Sequence, residues 1–215
     1  MPYEICLFDL DGTLTDPMPG ITKSFRHALS AFGIHETLEN LTRFIGPPLR
    51  ETFGLHFGFS ASDTEKAVAA YREYFADTGI YENTLYPEIP EILQILTDGG
   101  KKLAVATSKA APYTVRILEY FDLIKYFGYV SGDEMDGSRT KDGKREIIRI
   151  ALDNLDPGRK AAAVMIGDRM HDIIGAQKNG IESVGVLWGY GSRSELESEG
   201  ATRIAGTPQD LLRLL

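Results

Sequence analysis

One cysteine in 215 residues, Cys6, rules out an internal disulfide. Its place inside the apolar run Ile5-Cys6-Leu7-Phe8 marks it as a small buried hydrophobe rather than a reactive thiol. No window approaches roughly 18 uninterrupted apolar residues, which excludes a membrane-spanning helix and any membrane partner that would need one. The Met1-Pro2-Tyr3-Glu4 start has neither a basic n-region nor a separate apolar h-region, so a soluble, cytoplasmic protein is expected. Basic tracts and basic-aromatic interleaving are also missing. Lys and Arg number 23 against 31 Asp and Glu, a net charge of -8, which argues against polymeric DNA or RNA as a partner. What is present is 43% apolar content, enough for one full core and a smaller second module, acting as a monomer or homodimer.

The most informative stretch is Phe8-Asp9-Leu10-Asp11-Gly12-Thr13-Leu14-Thr15-Asp16, directly after the apolar run. In an extended segment residues i and i+2 point to the same side, so Asp9 and Asp11 converge beyond the end of a buried strand. Gly12 then lets the backbone turn sharply. Two like charges so close repel unless a cation lies between them or one keeps its proton. Both solutions serve phosphoryl transfer: Mg²⁺ takes oxygen ligands, one carboxylate can attack phosphorus, and the other can carry a proton. A bare Asp-Xxx-Asp-Gly is also compatible with a polar turn whose aspartates are solvated or cap backbone amides. The longer string Asp9-Xxx-Asp11-Gly12-Thr13-Leu14 is more specific, and it resembles the first motif of the haloacid dehalogenase superfamily, the aspartate-nucleophile phosphatases.

After Asp16 the periodicity becomes helical. Ile21, Phe25, Ala28, Leu29 and Phe32 share one face, as do Ala67, Val68, Tyr71 and Phe75, with shorter helices over 38–44 and 49–55 between them. Residues 17–82 therefore read as a helical-bundle cap inserted into a core of residues 1–16 and 83–215. From Leu85 onward strand and helix alternate: helices over 87–96, 112–121, 143–155, 172–179 and 194–199, strands over 102–106, 126–130, 162–166 and 183–186, and a closing segment from Arg203. Such alternation predicts an α/β fold, a doubly wound parallel sheet of Rossmann-like type with ligands beyond the carboxyl ends of its strands. The hinges are expected at 15–20 and 81–86.

The strand Leu103-Ala104-Val105-Ala106 ends at Thr107-Ser108-Lys109, similar to the second motif, which implies that Thr107 donates to a phosphate oxygen; an N-cap is the plain alternative. Lys144, heading Gly143-Lys144-Arg145-Glu146-Ile147-Ile148, matches the third-motif lysine, with Lys141 as its competitor. Gly167-Asp168-Arg169-Met170-His171-Asp172 resembles the fourth motif, which implies Asp168 as a Mg²⁺ ligand with Asp9 and the Asp11 carbonyl, and Asp172 behind them holding a metal-bound water or Lys144. His171 is read as structural, since its neighbours suit hard Mg²⁺ better than zinc. Asp133–Gly137 lacks the alternating ligands of an EF-hand loop, and Gly185–Gly191 lacks the P-loop lysine and the dinucleotide spacing.

The resemblance covers essentially the whole chain. It implies Asp9 as nucleophile, Asp11 as general acid and base, and a phosphoryl group held by Mg²⁺, Lys144, Thr107 and the amides of Leu10 and Ser108. The helical insertion resembles the C1-type cap, and Asp16-Pro17 to Gly46-Pro47-Pro48-Leu49-Arg50-Glu51, with Gly167-Asp168-Arg169-Met170-His171-Asp172 and Gly189-Tyr190-Gly191-Ser192, looks most like the phosphoglycolate-phosphatase-like branch, some members of which are 5'-nucleotidases. The expected substrate is a small phosphomonoester, phosphoglycolate first and nucleoside 5'-monophosphates second, with Arg50 as the cap residue that meets the leaving group. A sugar phosphomutase carries the same four motifs and stands as a further alternative. A dehalogenase needs no second aspartate, which Asp11 argues against.

Overall fold

The computed structural model describes residues 3–158 and 160–215, so the Met1-Pro2 start lies outside the described residues. In chain order the elements are β1 (Ile5–Phe8), β2 (Thr15–Asp16), α1 (Met18–Ser30), α2 (Leu38–Leu41), α3 (Leu49–Glu51), α4 (Ala61–Phe75), β3 (Thr84–Leu85), α5 (Ile89–Asp98), β4 (Lys102–Ala110), α6 (Ala111–Tyr120), β5 (Tyr129–Asp133), β6 (Lys141–Lys144), α7 (Arg145–Leu155), β7 (Ala163–Gly167), α8 (Met170–Lys178), β8 (Glu182–Val186), α9 (Arg193–Ser198), β9 (Arg203–Ala205) and α10 (Leu211–Leu214). The chain forms two compact units, Asp16–Thr84 and a unit joining Met1–Thr15 to Leu85–Leu215. Among the described residues no helix is long and apolar enough to cross a membrane.

The larger unit is a parallel six-stranded sheet in the order β5-β4-β1-β7-β8-β9. Every residue of β1 is buried, which requires helices on both faces of the sheet. On one face Ile5, Leu7, Ala104, Ala106 and Met165 pack with Ile147, Ile148, Ala151 and Leu152 of α7, the register expected for that helix. The chain places β4 on one side of β1 and β7 on the other, so the sheet reverses its winding at β1. In such folds ligands collect beyond the carboxyl ends of the strands beside a reversal of this kind.

Several element boundaries differ from expectation, the strand expected over 126–130 being Tyr129–Asp133 and the helix over 87–96 being Ile89–Asp98, and three of the differences bear on the site. β4 continues to Ala110 instead of stopping at Ala106, because its pairing with β5 shifts register between Ala106 and Ala110 and the chain stays extended through a bulge. The helix expected from Gly143 begins at Arg145: Gly143 has φ +63°, a left-handed conformation that turns the chain and that a helix does not continue through, so Lys144 is the residue before the helix. Helix 172–179 starts two residues early, at Met170.

The smaller unit is helical. Phe25 of α1 lies at its centre, with ring centroids of Phe53 at 5.4 Å, Phe44 at 5.7 Å and Tyr71 at 5.1 Å. The expected helix over 49–55 is one α turn, α3, followed by a π-helical turn Thr52–His56 that turns Phe53 into this aromatic core and leaves Leu55 exposed. Arg50 is half-buried within this unit, and its guanidinium forms a forked pair with Glu65, Nε to Oε1 at 2.6 Å and NH2 to Oε2 at 2.8 Å.

Candidate active site

The parallel register assembles the site. Phe8 of β1 lies opposite Val105 of β4 and Ile166 of β7, so Asp9, Thr107 and Asp168 come off three adjacent strands at one level. Asp9 is buried, and its Oδ1 accepts from the Leu10 amide at 2.8 Å. Its Oδ2 lies 2.6 Å from Lys144 Nζ, which also reaches Asp172 Oδ1 at 2.5 Å. Lys144 can bridge the two because Gly143 turns the chain and the short extended segment delivers the ammonium to the strand ends. Asp172, in the first turn of α8, completes a local cap by accepting the Arg169 amide at 3.1 Å. Thr107 is buried and its hydroxyl accepts from the Lys109 amide at 3.3 Å; the Ser108 hydroxyl is buried with no hydrogen-bond partner among the described residues. Asp11 lies beside these groups, with Oδ2 at 2.8 Å from Lys109 Nζ and Oδ1 without a partner among the described residues.

Asp9, Asp168 and Asp172 each offer an oxygen within 4.8 Å of the others, a buried cluster able to hold a metal ion. Asp168 is held from one side only: Oδ2 accepts the Tyr190 amide at 2.7 Å, and Oδ1 is buried with no partner among the described residues. Four buried carboxylates, of Asp9, Asp11, Asp168 and Asp172, share the site with two ammonium groups: Lys109 pairs with Asp11, and Lys144 with Asp9 and Asp172. When all are ionised the excess is two negative charges, the charge of one divalent cation, and an all-oxygen donor set suits a hard one. The Asp11 carboxylate is not part of the cluster; Lys109 engages it instead.

The electrostatics carry the same imprint. Burial pushes Asp168 well up from the ordinary carboxylate range, and the charges of Asp9 and Asp172 add to it. Burial likewise raises Asp172 and Asp11, against the opposing pull of Lys144 on the first and Lys109 on the second. Burial alone would lower Lys144, but Asp172 and Asp9 outweigh it and keep the ammonium charged. His171 is driven down to about 4 by burial and by the nearby Lys144 and Arg169, so it is neutral at pH 7.

Two sets of residues have roles at the site that the sequence does not show. Lys109 was legible only as the last member of Thr107-Ser108-Lys109. Gly189 and Gly191, in a glycine-rich segment without a nucleotide fingerprint, press against Asp168: a Cβ at Gly189 would fall inside contact distance of the Asp168 side chain and the Gly12 carbonyl, and one at Gly191 would meet the Asp168 carbonyl. Trp188 Nε1 donates to Thr13 O at 3.1 Å and ties the same loop to the one after β1. Two glycines separated by one residue, just past a strand end, were the available signal. Gly189→Ala is expected to destabilise the protein by about 1–3 kcal/mol through overpacking and to lower kcat more than KM, as read from denaturant unfolding and steady-state kinetics. By contrast Asp133, in the segment dismissed as a calcium loop, turns inward to accept from the Glu134 and Arg139 amides and the Thr140 hydroxyl, and holds its own loop closed.

A family model for haloacid dehalogenase-like hydrolases matches residues 6–186. The chain belongs to this family. A 5'-nucleotidase of Pseudomonas aeruginosa is 46% identical over 93% of this chain and 90% of its own length. The tyrosine-protein kinase PtkA of Mycobacterium tuberculosis is 41% identical over 93% of this chain and 67% of its own. A phosphoglycolate phosphatase of Aquifex aeolicus is 28% identical over 99% and 96%. Among solved structures, one from Clostridium acetobutylicum described as a "predicted phosphatase" superposes with a TM-score of 0.94 at 40% identity, covering 100% of this chain and 98% of that one. In this haloacid dehalogenase-like hydrolase Asp9 follows β1, Asp168 follows β7, and the Lys144 ammonium bridges Asp9 to Asp172.

Proposed function

We propose that the chain is a Mg²⁺-dependent phosphomonoester hydrolase that works through an aspartyl phosphate on Asp9. The observation that carries this reading is the pair of neighbouring carboxylates in different settings: Asp9 held at 2.6 Å by the Lys144 ammonium, and Asp11 held by Lys109 with one oxygen unpartnered among the described residues. An Asp9 oxygen forms a bond to phosphorus as the ester P–O bond breaks, and Asp11 gives its proton to the departing oxygen. A water then attacks phosphorus as Asp11 takes its proton, the bond to Asp9 breaks, and inorganic phosphate leaves. Lys144, Thr107, Ser108 and the Leu10 and Ser108 amides hold the phosphoryl oxygens. Asp9, Asp168 and the Asp11 carbonyl would hold Mg²⁺, with Asp172 behind them; when bound it supplies positive charge to the transferring group.

The substrate we favour is a nucleoside 5'-monophosphate, on the strength of the relative named a 5'-nucleotidase. Phosphoglycolate is the second reading. It draws on the relative named for that substrate and on Arg50, whose guanidinium could pair with a substrate carboxylate on exchanging its Glu65 partner. In this reading the inserted helical unit is the cap, admitting small phosphomonoesters and making phosphoprotein a poor substrate. A phosphomonoester panel with Mg²⁺ decides between the two: kcat/KM highest for AMP or UMP supports the first, highest for phosphoglycolate the second. Arg50→Ala separates them again. Under the second reading it lowers kcat/KM for phosphoglycolate at least tenfold relative to an aryl phosphate, about 1.4 kcal/mol; equal effects on all substrates remove Arg50 from specificity. Absence of hydrolysis on every member of the panel would overturn the activity itself.

A further inference from the structure

We propose that Lys109 is a positioning residue for Asp11: its ammonium holds one carboxylate oxygen and so fixes the other where the leaving-group oxygen departs. The inference deepens the reading of Asp11 as acid and base, and rests on it. Lys109 lies near the end of β4, and in a regular parallel strand its side chain would point to the same face as that of Thr107. The strand is not regular there. Ala106 pairs with Ser131 and Ala110 with Asp133, so four steps on β4 match two on β5, and the extra residues fall within Thr107-Ser108-Lys109. A bulge of this kind re-aims side chains, and bulges concentrate beside active sites. The neighbouring strand is adapted to it: at Gly132 a Cβ would lie 2.7 Å from the Lys109 carbonyl oxygen and from Ala111 Cα, so the bulge fits only against a residue without a side chain.

The bulge delivers Lys109 Nζ to 2.8 Å from Asp11 Oδ2, with both side chains at most a tenth exposed. The same residue's amide donates to the Thr107 hydroxyl at 3.3 Å, so the backbone of Lys109 steadies the proposed phosphate-binding hydroxyl while its side chain steadies Asp11. Asp11 Oδ1 remains buried with no partner among the described residues. A general acid must present one oxygen at hydrogen-bond distance from the atom it protonates, and a misplacement of about 1 Å can cost about 10²-fold in rate. The pair is weak as a stability device, because desolvating two charges offsets their attraction. Its effect is orientational. Lys144 cannot substitute, since its ammonium is engaged by Asp9 and Asp172.

The test compares kcat/KM, which reports steps up to phosphoryl transfer onto Asp9, for 4-nitrophenyl phosphate and for AMP. The first leaving group departs without a proton; the second, an alkoxide, needs one. Lys109→Met is expected to lose at least tenfold more on AMP than on 4-nitrophenyl phosphate, and Lys109→Arg to recover part of that difference. With Asp11→Asn already present, Lys109→Met should remove no further selectivity. If Lys109→Met does not fold, Lys109→Gln, which keeps a polar side chain but not the charge, carries the same expectation. Equal losses on the two substrates, or losses that multiply in the double variant, overturn the proposal while Asp11→Asn alone still discriminates between them. Equal losses for Asp11→Asn itself overturn the acid/base reading, and the proposal with it.

Discussion

Asp9→Asn is expected to leave no detectable turnover, a loss of at least about 10⁴-fold or about 5.5 kcal/mol in barrier. The substitution keeps the shape of the side chain, but its single carbonyl oxygen can accept from only one of the two donors, the Leu10 amide and Lys144, that hold the Asp9 oxygens at 2.8 and 2.6 Å. What it removes is the anionic oxygen that bonds to phosphorus, and an amide is no substitute nucleophile. It also removes one carboxylate from the buried pairing with Lys144, which Asp172 continues to hold, and a thermal melt separates lost chemistry from lost structure. Phosphate release from an aryl phosphate is the measurement. Activity within tenfold of the parent chain would assign the nucleophile to another residue. Beryllofluoride, standing in for the phosphoryl group, should bind the parent chain and not the variant.

Chelation with EDTA should likewise abolish phosphate release, and Mg²⁺ should restore it. The expectation comes from charge: four buried carboxylates, two ammonium groups, and an Asp168 oxygen with no partner among the described residues. It has a second readout that needs no substrate. A cation that binds only the folded state raises its stability by about 2.7 kcal/mol at a hundredfold excess over Kd, so Mg²⁺ should raise Tm. Asp168→Asn should abolish that rise. Ca²⁺, with longer and looser coordination, should raise Tm but fail to restore turnover. A rate that is the same in EDTA and in Mg²⁺ would remove the metal from the mechanism.

Much of this site could be read in the sequence because its chemistry sits at strand ends, where an apolar run breaks into polar residues. Asp9, Thr107 and Asp168 each follow such a run by one or two residues, and the parallel register does the rest. Lys144 was legible as a residue but not in its setting, since the turn at Gly143 that frees it from the helix depends on a single positive φ. The bulge at 107–109 was invisible because Lys-Leu-Ala-Val-Ala-Thr-Ser-Lys-Ala has no local signal for an irregular strand; the permissive residue, Gly132, lies on the neighbouring strand. The π-helical turn at Thr52–His56 was hidden for a similar reason, as it follows from fitting Phe53 among rings distant in sequence. Contacts of that kind are written across the chain and not along it.

The strand order also sets when the site can exist. Ile5 of β1 has its sheet partners at Lys102 and Ala163, so the central strand can pair on one edge only once β4 has been made and on both only once β7 has. Pairings so distant in sequence make closure of the sheet slow compared with folding built on local contacts. The residues of β1 are apolar throughout, and until β4 and β7 arrive they offer an open edge to other chains. Asp9 is thus made before the strands that place it, and a chain cut short before Gly167 holds this carboxylate without Asp168 and Asp172 beside it.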